Sequence, residues 1–108
     1  MNNDAMWIIE VFQMQLGALR NELENKRLKR DKFDKYSYGA WAITETFLAI
    51  DDYSGYVTVG LIREILQMQL IDYTCYYKNN KERHIRYKYA AEMIENLMEL
   101  TGGWVNDY

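Results

Sequence analysis

The chain has no proline, one cysteine, one histidine and six glycines in 108 residues. Without proline, its punctuation is left to Gly, Ser, Asn and Asp. A single cysteine excludes an internal disulfide, and Cys75 with His84 falls short of a zinc site or a redox pair. No apolar run approaches the roughly 18 residues of a membrane span, and Asp4 and Glu10 bracket a run too short for a secretory signal. There is no glycine-rich phosphate loop, nucleophile elbow or HExxH motif. The expectation is a cytoplasmic, non-enzymatic protein with no cofactor, no metal and no membrane.

What is present is 49% hydrophobic, 15% aromatic and 27% charged sequence. That composition excludes intrinsic disorder, and the length suits one domain, 1–108, with too few residues for two. No internal repeat or low-complexity linker interrupts it.

Four segments carry helical periodicity. From Asn3 the spacing Ala5, Ile8/Ile9, Phe12, Leu16, Leu19, Leu23 follows one helix face, with Asn3 or Asp4 as a cap. The rhythm lapses at Lys26, Arg27 and Arg30, and the helix is expected to continue, solvated, to about Lys35. Ser37, Tyr38 and Gly39 read as a turn, followed by a helix of about fourteen residues carrying Ala40, Ile43, Phe47 and Ile50. Asp51 to Gly55 is the clearest break. A third helix, about Val57 to Tyr77, has apolar residues around most of its cylinder, including Leu61, Ile62, Leu66, Met68, Leu70 and Ile71. Asn79 and Glu82 resemble a capping box for a fourth helix, Asn80 to about Leu100, with Tyr87, Ala90, Ile94 and Leu97 inward and Gly102-Gly103 as its stop. Strand-favouring residues at 56–59 and 73–77 lack a hairpin partner. Short connections make neighbouring helices antiparallel, so the predicted fold is all-α: a compact antiparallel four-helix bundle with a long first helix.

Charge is unevenly distributed. Arg20 to Lys35 and Lys78 to Lys88 hold twelve of the 13 basic residues with five acidic ones. These windows carry +7 and the remainder −10. Alternating helices bring both windows to one end, opposite Asp4, Asp51, Asp52, Glu95, Glu99 and Asp107. The start of the fourth helix is crowded with cations that its dipole disfavours, an arrangement suited to anions. The candidate anion or nucleic-acid surface comprises Lys26, Arg27, Lys29 and Arg30 with Lys78, Lys81, Arg83, Arg86 and Lys88. Tyr76 and Tyr77 interleave as possible base-stacking platforms. A solvated face is the plainer reading: Glu22 with Lys26, and Glu82 with Arg86, have helix-supporting spacing.

Smaller signals resolve against chemistry. Asp52 to Thr58 resembles the middle of a calcium loop, but Ile50 and Leu61 stand where carboxylates are needed. Glu82 and His84 point apart on a helix, and Cys75 reads as a buried, inert thiol. Met6, Trp7, Val11 and Met14 form a second apolar stripe on the first helix. With Leu66 and Leu70 of the third, they are the candidate dimer interface.

The function expected is therefore that of a small interaction or regulatory protein that binds another macromolecule as a homodimer. Two alternatives are a nucleic-acid-binding accessory protein using the basic, tyrosine-rich pole, and an acidic decoy of a nucleic-acid-binding protein. The short, tyrosine- and asparagine-rich composition is similar to that of phage or plasmid accessory proteins.

Overall fold

Asn2, one residue ahead of the expected caps, opens the first helix: its Oδ1 accepts hydrogen bonds from the Asp4 and Ala5 amides at 2.7 and 3.3 Å. The computed structural model describes residues 1–79 and 84–102. Among them are four helices, α1 (Asn3–Leu23), α2 (Arg30–Asp52), α3 (Val59–Asn79) and α4 (His84–Leu100). The fold is the expected all-α antiparallel bundle; α4 packs against both α2 and α3, and α1 lies mainly on α2.

The first two boundaries differ from the sequence expectation. α1 ends at Leu23, where its apolar rhythm ends, and does not continue to Lys35. Asn25 makes the turn: its Oδ1 accepts from the Arg27 amide at 3.0 Å, and its carbonyl from the Leu28 amide at 3.2 Å. An Asx turn of this kind needs neither Gly nor Pro. α2 then runs 23 residues and includes Ser37, Tyr38 and Gly39 in its interior. Gly39 serves packing: a β-carbon there would lie 2.9 Å from Met93 Cε of α4 and 3.7 Å from Leu19 Cδ1 of α1.

The break after α2 begins later than expected: Asp51 and Asp52 still belong to the helix, the connection starts at Tyr53 and contains Ser54 and Gly55, and Thr58 Oγ1 caps α3 by accepting from the Leu61 amide at 3.1 Å. Residues 56–58 form no strand, and 73–77 are helical. α3 buries one side only: Ile62, Leu66 and Tyr73 are inside, while Met68 and Ile71 are 65% and 67% exposed. After α4, Thr101 Oγ1 donates back to the Leu97 carbonyl at 2.7 Å. Gly102 follows at φ 117°, the left-handed conformation expected of a helix-stopping glycine. The capping role of Glu82, the second stop glycine Gly103 and the tail from Trp104 lie outside the described residues.

The α1 stripe is as its spacing predicts, with Ala5, Ile8, Phe12, Leu16 and Leu19 buried. They meet Ile43 of α2, Ile62 and Leu66 of α3, and Ile94 and Leu97 of α4 in one core. One polar network crosses it. The Thr46 hydroxyl, fully buried, has Gln69 Oε1 at 2.7 Å and the Ala42 carbonyl at 3.0 Å as acceptors. Gln69 Nε2 donates to the same carbonyl at 3.3 Å and to the Tyr73 hydroxyl at 3.2 Å. This clasp joins α2 to α3 and fixes where Tyr73 stands. No described helix is long and apolar enough to cross a membrane.

Candidate functional site

The antiparallel order brings the end of α1, the start of α2, the end of α3 and the start of α4 to one end of the bundle. The described residues of both basic windows therefore share that end. Lys26, Arg27 and Lys29 are exposed in the connection between α1 and α2, and Arg30 pairs with Asp34 at 3.3 Å. Lys26 stands beyond the end of α1, so the helical spacing that would pair it with Glu22 does not apply. Lys78 is exposed near the end of α3, whereas Lys81, Arg83 and the Glu82–His84 side-chain pair lie outside the described residues.

Arg86 is turned inward. Its guanidinium carbon lies 5.7 Å from the centroid of Tyr38 and 5.5 Å from that of Trp41. Those ring faces offset a cation that the first turn of α4 disfavours. Lys88 stays exposed, 5.9 Å from the Tyr89 ring. Tyr76 and Tyr77 are exposed, and the Tyr76 ring packs 4.9 Å from Tyr87.

The apolar stripes divide. Met6, Trp7 and Met14 are 47%, 52% and 75% exposed along the outer side of α1, with Val11 half-buried between them. Leu70 is half-buried, but Leu66 is fully enclosed in the core and is not available to any partner, because α3 buries one side instead of its whole cylinder. The expected burial of Cys75 is also corrected: the thiol is exposed, and its Sγ accepts from Asn79 Nδ2 at 3.3 Å.

A pocket of about 350 Å³ opens between α2, α3 and α4. Trp41, Tyr73, Tyr76 and Tyr87 line it. The first, second and fourth of these rings form a triangle with centroid separations of 5.4, 6.4 and 6.1 Å. The carboxylates of Glu45 and Asp72 complete the lining together with Gln69 and Ala49. Burial pushes the Tyr73 phenol above its usual range; the hydrogen bond from Gln69 opposes this, and the negative charges of Glu45 and Asp72 add to it. A second pocket, about 330 Å³, lies where α1, α2 and α4 meet around Leu19, Tyr36 and Met93. Among the described residues no His, Cys, Asp and Glu group is placed to hold a metal.

The aromatic pocket escapes the sequence reading. Tyr87 registers there as an inward residue and Tyr76 as a base-stacking platform, and Trp41, Glu45, Gln69, Asp72 and Tyr73 carry no role in a site. A local signal exists: Trp41 and Glu45 are one turn apart, and Gln69, Asp72, Tyr73 and Tyr76 recur at three and four residues on one helix face. Their convergence, however, depends on α2, α3 and α4 meeting. Comparison with protein-family models, curated proteins and solved structures finds no match to this chain.

Proposed function

We propose that the protein is a cytosolic, non-enzymatic binding module that works as a homodimer and acts on another macromolecule. The observation that carries this reading is the outer side of α1, where Met6, Trp7 and Met14 stand half to three-quarters exposed in one row. Exposed large apolar groups occur singly on most surfaces; several close together on one helix mark an association face. Met and Trp are enriched at such faces. The occupant proposed is a second copy, because an antiparallel pair would set Asp4 in the first turn of α1 toward Arg20 in the last turn of its partner.

The rival use, nucleic-acid binding at the basic end, draws support from the gathering of both windows there. It is weakened by Arg86, whose charge is engaged with rings of α2 instead of being presented outward.

Light scattering at micromolar concentration tests the dimer. The expected mass is about twice the 13.0 kDa of the chain, falling to the monomer in Trp7→Glu and Met14→Glu with helical circular dichroism unchanged. A monomeric wild-type protein defeats the reading.

A further inference from the structure

The geometry points to the pocket between α2, α3 and α4 as a binding site for an organic cation, of the alkylammonium class, held by aromatic rings and two carboxylates. It is independent of the dimer proposed above. Three features of the pocket converge on that chemistry.

The first is the lining. Trp41, Tyr73, Tyr76 and Tyr87 reach the same pocket from three different helices. Aromatic rings attract cations through the negative potential of their faces, and Trp does so best. The space, about 350 Å³, is ample for a methylated ammonium head and part of its stem.

The second is charge. Glu45 and Asp72 line the pocket, and no lining residue is a cation. Among the described residues neither carboxylate is engaged in an ion pair. Two negative charges in a lining that holds no cation suit a positively charged ligand and repel an anion.

The third is that the fold already places a cation against this cluster. Arg86 lies over Trp41, yet it is not part of the pocket lining. Glu45, Asp72 and Arg86 together still leave one negative charge in excess. Arg86 thus sets a cation beside the Trp41 ring without entering the pocket lining.

The site is also held in place. Tyr73 is only 7% exposed, and its hydroxyl accepts from Gln69, whose carbonyl end is anchored by the buried Thr46. A ring fixed in this way loses little freedom on binding, which favours recognition of a small ligand.

The ammonium head could belong to a free metabolite or to a methylated lysine side chain, and the experiment separates the two. The full chain is titrated with choline, with its neutral isostere 3,3-dimethyl-1-butanol, and with a short peptide carrying trimethyl-lysine. Nuclear magnetic resonance of the Trp41 indole and the tyrosine rings provides the readout. Choline is expected to shift these signals saturably and the isostere to leave them unchanged. Glu45→Gln and Asp72→Asn, both at solvent-accessible positions, each weaken choline binding by roughly two- to fivefold. Arg86→Gln, which removes a like charge, tightens it. Stronger binding of the peptide than of choline assigns the site to a modified side chain, and the reverse assigns it to a free headgroup. Equal binding of choline and the neutral isostere, or charge-neutralised variants that bind as the wild type does, reduce the site to an apolar cleft and overturn the proposal. So does the absence of saturable shifts with both cationic probes.

Discussion

At the scale of single residues, Tyr73 carries more consequences than any other side chain. It belongs to the core, closes the Thr46–Gln69 clasp and lines the aromatic pocket. Its phenol holds its proton to higher pH than usual, chiefly because burial penalises the phenolate, with Glu45 and Asp72 adding to the effect. The sign follows from linkage. The folded chain keeps a proton that the unfolded chain releases near pH 10, so this contribution is complete below about pH 10 and is lost as pH rises through the higher folded value. Tyr73→Phe is expected to lower stability at neutral pH by about 1 kcal/mol, because Gln69 Nε2 loses one acceptor. The same variant should lose less stability than the wild type between neutral pH and pH 11. Urea unfolding over that range measures both effects, and parallel curves for the two proteins would show that the phenol does not contribute.

Between residue and bundle stands the helix, and here Gly39 illustrates how a single position serves an element. In an isolated α2 it costs about 1 kcal/mol against alanine. In the bundle it lets α4 approach, with Met93 lying where a side chain would begin. Because Met93 Cε is the far end of a flexible side chain, Gly39→Ala is expected to be nearly neutral, the gain in helix propensity offsetting a small shift of the methionine. Gly39→Leu has no such escape and should cost about 1–3 kcal/mol through overpacking, read as a lowered denaturation midpoint. The same glycine explains where sequence reading succeeds and fails. The stripes of α1 and α4 are legible because burial follows the helical repeat, residue by residue, from Ala5 to Leu19 and from Ala90 to Met98. The join of α1 and α2 is misread because two local signals exchange meanings. Gly39 looks like a turn and is a helix contact, while Asn25, one polar residue among many, makes the turn through its own side chain. The pocket is illegible for a different reason: each of its residues has an ordinary helical explanation, and only the meeting of three helices gives them a common one.

For the whole molecule, the separation of charge along the bundle decides how two copies would pair. The α1 row has Met6 and Trp7 near the acidic end and Met14 nearer the basic end, beyond which come Arg20 and the Lys26–Arg30 connection. A parallel pair would set like ends side by side; an antiparallel pair sets Asp4 of one copy toward Arg20 of the other and opposes Trp7 to Met14. The two arrangements differ in what faces what. With a two-fold axis near position 11, Val11 of each copy lies close to its own counterpart in either arrangement. At about 1.5 Å rise per residue, Ala18, exposed on the same face, is displaced from its counterpart by roughly 20 Å along an antiparallel pair and hardly at all along a parallel one. A disulfide needs α-carbons within about 7 Å. In a Cys75→Ser background, required because the native thiol is exposed, oxidation is therefore expected to cross-link Val11→Cys into a dimer on a non-reducing gel and to leave Ala18→Cys monomeric. Cross-linking of both would mean that the copies pair in parallel against their charge. Failure of both would remove α1 as the shared face and leave its exposed row to a partner of another kind.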